Sequence, residues 1–126
     1  MSHIVSIKTR LTDAAALCAA CRRLGLSEPV AGSARLFSAE ATGLLVKLPG
    51  WQFPAVVDTA SGEVKFDNYN GAWGKPEELD KLLQGYAVEK ARIEARRMGH
   101  SLTEQKLDNG SIKLTIQVGG GIGGAL

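Results

Sequence analysis

The chain has 126 residues, with 15 lysines and arginines against 13 aspartates and glutamates, which gives a formal net charge of +2. This length corresponds to one domain with a real hydrophobic core, and the balanced charge lacks the positive field typical of a dedicated nucleic-acid-binding protein. The longest apolar run, residues 14–21, is far shorter than the roughly 20 residues of a membrane-spanning helix.

The N-terminal quarter predicts a short strand followed by an amphipathic helix. The opening residues lack the basic and long apolar segments of a secretory signal, so we expect a soluble, cytoplasmic protein. Residues 2–8 are short and β-branched, which predicts a strand. A helix is predicted over residues 12–24, because Thr12 is a suitable N-cap and Leu17 and Cys21 recur at helical spacing.

The middle of the chain predicts a series of short strands separated by turn residues. The strands are expected at residues 34–39, 43–48, 54–59 and 63–67. The last two predict a hairpin across residues 60–62, which read Ala-Ser-Gly.

The last third predicts a long helix and a second hairpin. Proline is favourable in the first turn of a helix, so we expect the helix to run from Pro76 to Arg97. Two strands, at residues 101–107 and 111–118, flank a turn at residues 108–110, which read Asp-Asn-Gly. The Asn-Gly pair is typical of a two-residue turn in which both central residues have positive φ. The second strand alternates apolar and polar residues and should have one buried face.

Together these elements predict an α+β fold, with a single antiparallel sheet and two helices packed on one face. A ferredoxin-like arrangement with extra strands is compatible with this order. We assign residues 1–118 to a single α+β domain and residues 119–126 to a flexible, glycine-rich tail, because glycine has the largest ordering cost. The tail has the glycine spacing of a dinucleotide-binding turn, but no helix follows to face a pyrophosphate, so this function is not predicted.

Four residues could serve as zinc ligands: Cys18, Cys21, His3 and His100. Structural zinc sites, however, place Cys-x-x-Cys in a turn and pair their histidines closely. A redox-active pair needs its first cysteine at a helix N-terminus, whereas both cysteines fall well inside the predicted helix. We therefore interpret the cysteines as core residues and expect no bound metal and no cofactor.

The connection before the long helix concentrates polar and aromatic side chains, namely Asp67, Asn68, Tyr69 and Trp73. Connections of this kind often carry function. The same residue types are ordinary turn formers, and a calcium loop would need acceptors at positions that this segment lacks. A structural turn and a binding surface are both compatible with the sequence.

The second half of the long helix adds Tyr86, Lys90 and Arg96. Acidic residues are interspersed among them, so a solvated helix face is one interpretation. Tyrosine, tryptophan and arginine are also frequent in binding hot spots, and on this ground we group the connection and the helix face as one candidate protein-binding surface. No combination of serine, histidine and carboxylate matches a motif for nucleophilic catalysis.

Four blocks of the sequence carry a family resemblance: Met1-Ser2-His3 with Ile7-Lys8-Thr9, Phe66-Asp67-Asn68-Tyr69 with Trp73, Tyr86-Ala87-Val88-Glu89-Lys90, and Asp108-Asn109-Gly110-Ser111-Ile112-Lys113-Leu114. On these blocks the chain resembles the family called domain of unknown function 1257, which includes a hypothetical open-reading-frame protein of algal plastids and cyanobacteria. The resemblance implies a small accessory protein without an established activity, encoded near an ATPase of the AAA class. His100 stands where the family often has an aromatic residue, which weighs against a zinc site.

We therefore expect a non-enzymatic accessory or adaptor protein that binds another protein, and the resemblance implies an AAA-type ATPase as that partner. The alternative is a small-ligand or metal-binding protein, including an enzyme, that uses the loop from Asp67 to Trp73. A third hypothesis is single-stranded nucleic-acid binding by base stacking on Tyr69 and Trp73, which the balanced charge disfavours. No membrane association is expected.

Overall fold

The structure of the chain is a computed structural model, which describes the backbone of residues 5–8 and all atoms of residues 10–37 and 39–118. Its elements follow in the order β1 (Val5–Lys8), α1 (Ala14–Arg23), β2 (Val30–Arg35), β3 (Glu40–Val46), β4 (Ala55–Asp58), β5 (Glu63–Phe66), a 3₁₀ turn (Tyr69–Gly71), α2 (Pro76–Arg97), β6 (Ser101–Lys106) and β7 (Ile112–Gln117). Within these ranges, no helix has the length and apolar character that crossing a membrane requires.

Two compact units make up the chain, Met1–Tyr86 and Ala87–Leu126, and the boundary between them lies inside α2. Residues 1–118, predicted as one α+β domain, include the boundary between these units. The predicted tail, residues 119–126, and His3 lie outside the described residues.

The first unit is built on a five-stranded antiparallel sheet with the strand order β1-β5-β4-β3-β2. Three of its pairings join strands that follow each other in the chain, and β1 pairs with β5. The second unit contains the end of α2 and a separate two-stranded sheet, β6-β7. The α+β class and the antiparallel sheet are confirmed, but the last hairpin forms a sheet of its own instead of extending a single sheet.

The helices pack on one face of the five-stranded sheet. Alternation along the strands places a set of buried side chains on this face: Val46, Ala55, Val57, Val64 and Phe66. Leu17 of α1 and Leu82 of α2 are each fully buried. The two helices pass close to each other at Gly85, where a β-carbon would lie 3.5 Å from the Cβ of Ala20.

The opposite face of the sheet carries a second apolar cluster. Leu36, Ala41 and Val56 are buried there. The partly buried side chains of Ala34, Leu45 and Phe53 pack against them. Both faces of the central strand β4 are therefore covered, because its residues Ala55, Val56 and Val57 are all buried.

The start of α1 differs from the prediction by two residues. The N-cap is Asp13, not Thr12, and its carboxylate accepts hydrogen bonds from the backbone N–H groups of Ala15 at 2.9 Å and Ala16 at 3.2 Å. An aspartate at this position satisfies two free N–H groups of the first turn and interacts favourably with the positive end of the helix.

The strands β2 and β3 lie three to four residues before their predicted positions, at Val30–Arg35 and Glu40–Val46. The two strands meet where the N–H of Leu36 donates to the carbonyl oxygen of Ala39 at 2.8 Å. Alternation could not locate β2, because small side chains fill the strand and five of its six residues are exposed.

The last hairpin forms with its turn at residues 108–110 as predicted, but the expected positive φ at both Asn109 and Gly110 is wrong. Among the described residues of this turn, Gly110 has a φ of 90° and Asn109 has no positive φ. The N–H of Gly110 donates to the carbonyl of Leu107 at 3.0 Å, and the N–H of Leu107 donates to the carbonyl of Ser111 at 2.8 Å. This pattern is a three-residue loop with one left-handed glycine, which needs positive φ at a single position. The predicted buried face of β7 is only half-buried near the turn and is exposed at Ile116.

Candidate functional site

Four aromatic rings from three separate connections meet in the first unit. Phe37 comes from the β2–β3 turn, Phe53 from the β3–β4 connection, and Tyr69 and Trp73 from the β5–α2 connection. Trp73 lies at the centre, with ring-centroid distances of 5.3 Å to Phe37, 5.7 Å to Phe53 and 4.7 Å to Tyr69. All three distances are within the range of favourable aromatic contacts. We call these four residues the aromatic cluster.

The aromatic cluster is partly buried at Phe53 and exposed at Phe37 and Tyr69. Phe53 packs against the apolar cluster on the sheet face that includes Val56. Phe37 and Tyr69 remain 51% and 43% exposed, although both contact the Trp73 ring. The cluster therefore presents apolar rings to solvent on a support that the sheet holds in place.

The backbone beneath these rings has an uncommon conformation. Tyr69 and Asn70 both have positive φ, 47° and 53°. This region is unfavourable for a bulky side chain such as tyrosine and costs on the order of 1–3 kcal/mol. Two hydrogen bonds restrain it: the N–H of Tyr69 donates to Oδ1 of Asp67 at 3.3 Å, and the N–H of Trp73 donates to the carbonyl of Asn68 at 2.9 Å.

The sequence suggested that Asp67 and Asn68 lie on a contact surface. In the structure, both side chains are instead buried under the loop. The side-chain amide of Asn68 donates to the carbonyl of Gly74 at 3.2 Å. In Asp67, Oδ1 binds the loop backbone, while the buried Oδ2 has no hydrogen-bond partner among the described atoms. Both residues therefore hold the loop from below and leave Tyr69 and Trp73 as its surface residues.

Trp51 braces the same loop from the β3–β4 connection. Its indole N–H donates to the carbonyl of Lys75 at 3.0 Å, and its ring packs edge-to-face with Phe66 at a centroid distance of 5.6 Å. The next residue, Gln52, donates its N–H to the carbonyl of Trp73 at 2.9 Å. The β3–β4 and β5–α2 connections are thus tied together by backbone and side-chain bonds.

The predicted helix-face residues fall into both units. Tyr86 is only 6% exposed, and its hydroxyl donates to the carbonyl of Arg10 at 3.2 Å and accepts from the N–H of Asp13 at 3.0 Å. Its role is therefore to hold α2 against the start of α1. Lys90 and Arg96 belong to the second unit.

In the second unit, the helix face carries ion pairs. Lys90 pairs with Glu94 at 3.0 Å, Arg97 pairs with Glu94 at 3.3 Å, and Arg92 pairs with Glu104 of β6. Arg96 is exposed. Partly exposed pairs such as Lys90–Glu94 and Arg97–Glu94 contribute little free energy each and are typical of a solvated helix surface.

The cysteines lie where core residues are expected. Both are free thiols; Cys21 is fully buried and Cys18 is half-buried. Burial, together with a smaller effect of the neighbouring Cys18, raises the pKa of Cys21 from 9.0 to about 11. A thiol that stays neutral at physiological pH is a poor nucleophile and a poor metal ligand. Within the described residues, no group of three or more His, Cys, Asp and Glu side chains could hold a metal ion.

The raised pKa of Cys21 predicts a loss of stability in alkaline solution. The unfolded thiol ionises near pH 9.0, whereas the folded thiol stays neutral up to about pH 11. The stabilising contribution is therefore complete below pH 9.0 and is lost as the pH rises towards 11, by about 2–3 kcal/mol in total. Urea denaturation of the wild type and of Cys21→Ala across this interval measures the effect, because the other titrating groups are common to both proteins. Parallel pH profiles for the two would contradict it.

Two members of the aromatic cluster, Tyr69 and Trp73, were predicted from the sequence. The other two, Phe37 and Phe53, were not. Both missed residues are aromatic side chains in connections, which is the one signal that could have marked them. Comparisons with protein-family models, with curated proteins and with solved structures found no match for this chain.

Proposed function

We propose that this protein is a non-enzymatic accessory protein that binds another protein through the aromatic cluster. The observation that carries this proposal is the exposure of Phe37 and Tyr69 around Trp73, on a base that is anchored in the sheet. Exposed aromatic rings on a rigid support provide a large apolar contact area at little cost in side-chain entropy, and such residues are common in binding hot spots.

The loop conformation supports the same proposal. Two unfavourable features lie directly beneath the rings, namely the left-handed backbone of Tyr69 and the buried, unpartnered Oδ2 of Asp67. Such features persist only where the surrounding structure maintains them, and they concentrate at functional sites. Here they hold Tyr69 and Trp73 at the surface, where a partner can contact them.

A protein partner fits the chemistry of this surface better than nucleic acid. No member of the aromatic cluster is charged, whereas nucleic-acid binding depends on basic residues that neutralise phosphates. The resemblance to the domain of unknown function 1257 family suggests an AAA-type ATPase as the first partner to examine.

Affinity capture with the tagged protein from its native host, followed by quantitative mass spectrometry and a binding assay with the purified partner, tests the proposal. We expect Phe37→Ala and Trp73→Ala each to weaken binding by about tenfold or more, because each removes part of the contact area. Met98→Ala is the matched control, since Met98 is an apolar residue of the second unit that is 67% exposed.

Circular dichroism and thermal unfolding should show that the Phe37→Ala protein is folded, because this side chain is half exposed and lies in a turn. If both cluster variants bind the partner as tightly as Met98→Ala does, the aromatic cluster is not the contact surface. A partner whose binding falls steeply with added salt and depends on nucleic acid would also overturn the proposal.

A further inference from the structure

A cavity of about 300 Å³ lies in the first unit, away from the residues of the aromatic cluster. It is formed where the connection before β2, the start of β2, the end of β3 and the residue before β4 come together. Six residues line it: Ser27, Glu28, Val30, Leu45, Lys47 and Pro54. This volume is at the lower end of the roughly 300–1,000 Å³ that is typical of small-molecule sites, so the cavity fits a small ligand.

The floor of this cavity is apolar and is held in place by the sheet. Leu45 is the cross-strand partner of Val30 on one side and of Val56 on the other, so the three side chains share the sheet face opposite the helices. Leu45 packs against the apolar cluster that contains Val56, whereas Val30 remains 63% exposed. An apolar group that covers Val30 and Leu45 would remove their exposed surface from water, which is favourable.

Two opposite charges border the apolar floor. Glu28 and Lys47 are both exposed. Within the part of the chain that the structure describes, neither side chain forms a hydrogen bond or an ion pair, whereas Lys90 and Arg97 of the second unit both pair with Glu94. The carboxylate of Glu28 and the ammonium group of Lys47 are therefore available to a ligand in the cavity.

The two charges and the apolar floor together select the kind of ligand that fits. A purely anionic ligand is repelled by Glu28, and a purely cationic one is repelled by Lys47. An uncharged apolar ligand shields both charged groups from water without giving either of them a partner. A small molecule that carries an ammonium group, a carboxylate and an apolar group matches all three features. A free amino acid with an aliphatic side chain is the simplest molecule of this class.

We propose that the cavity binds a free aliphatic amino acid such as leucine. The ammonium group of the ligand pairs with Glu28, its carboxylate pairs with Lys47, and its side chain covers Val30 and Leu45. The proposal does not rest on the proposed function, because the cavity and the aromatic cluster have no residue in common.

Titration of the isotope-labelled protein with leucine, followed by heteronuclear NMR, tests the proposal. We expect saturable shifts of the backbone N–H signals of Val30, Leu45 and Lys47. The expected Kd is on the order of 1 mM, because the ligand is small and both of its ion pairs are exposed.

Three control ligands each lack one of the selecting features. Isocaproate is leucine without the ammonium group, isoamylamine is leucine without the carboxylate, and glycine lacks the apolar side chain. Each should bind about fivefold more weakly than leucine or less tightly still.

Charge-neutral variants test the assignment of the two side chains. Glu28→Gln and Lys47→Gln should each weaken leucine binding by about fivefold, and both positions are exposed, so the fold should be retained. Lys113→Gln removes an exposed lysine of the second unit and is the matched control, which should bind leucine like the wild type.

Four results would each overturn the proposal. The first is the absence of saturable shifts at leucine concentrations about tenfold above the expected Kd. The second is a set of shifts centred on the aromatic cluster instead of the cavity. The others are equal affinities for leucine and the three control ligands, and Glu28→Gln and Lys47→Gln proteins that bind leucine as tightly as Lys113→Gln does.

Discussion

We expect Gly43→Ala to destabilise the first unit by about 3 kcal/mol or to prevent it from folding. This is one of the two largest effects that we predict. A β-carbon on Gly43 would lie 2.5 Å from the carbonyl oxygen of Val57, 2.9 Å from its carbonyl carbon and 3.2 Å from Cγ1 of Val56. The first two of these are backbone atoms of β4, so no side-chain rotation can relieve the clash. The strands β3 and β4 would have to separate in the middle of the sheet, next to the buried Val56 and Val57.

Urea denaturation of Gly43→Ala, or its soluble yield if it does not fold, measures this effect. Gly32→Ala is the matched control, because Gly32 is the cross-strand partner of Gly43. A β-carbon there would meet only Cδ1 of Leu45, at 3.8 Å, which is an ordinary contact. We expect this control to be neutral or slightly stabilising, since alanine is less flexible in the unfolded chain than glycine. Equal stabilities of the two variants would show that β3 and β4 are not this close.

Gly74→Ala is the second strong prediction, and it acts on the support of the aromatic cluster. A β-carbon on Gly74 would lie 2.5 Å to 2.7 Å from three atoms in the middle of the Trp51 indole. The ring cannot simply turn away, because its N–H is bound to the carbonyl of Lys75 and the ring packs edge-to-face with Phe66. We expect a loss of about 2–3 kcal/mol in the free energy of unfolding, together with weaker partner binding because Trp73 is the adjacent residue.

Denaturation monitored by tryptophan fluorescence measures the loss in Gly74→Ala. Gly85→Ala provides the control in α2, where a β-carbon would meet Ala20, Arg23 and Leu24 at 3.5 Å to 3.8 Å. These are ordinary contacts, and alanine is favoured over glycine inside a helix by about 1 kcal/mol, so this variant should gain stability. Opposite signs for the two substitutions are the expected result; a stable Gly74→Ala protein with an unchanged fluorescence spectrum would contradict the close packing of Trp51.

The close contacts of Gly43 and Gly74 could not be predicted from the sequence. Gly43 lies in a strand and Gly74 in a connection, and nothing in their sequence neighbours distinguishes them from Gly32 or Gly85. The difference lies in what each one faces across the fold: a carbonyl group of β4 in one case and an indole ring in the other. Such contacts depend on residues that are distant in the chain.

The sequence by itself determined the elements whose signals lie within a few residues of each other. The start of α2 is at Pro76 and its end at Arg97, as predicted, because a proline in the first turn and basic residues in the last turn act locally. The β4–β5 and β6–β7 hairpins follow in the same way from apolar alternation on either side of turn residues. The α+β class with an antiparallel sheet could therefore be predicted from these local signals.

Only the tertiary structure decided which side chains face solvent and which meet each other. Tyr86 fits the apolar stripe of α2, but no spacing rule could show that its hydroxyl bonds to Arg10 and Asp13 and that its ring is buried. Asp67 and Tyr69 are close in sequence, yet one is fully buried and the other 43% exposed.

The aromatic cluster depends on tertiary structure for the same reason. Phe37, Phe53 and Trp73 come from three connections, and the register of β2 on β3 determines where the first of them lies. Small, exposed side chains leave that register without a hydrophobic pattern in the sequence, so the backbone ladder and the packing of Trp73 determine it instead.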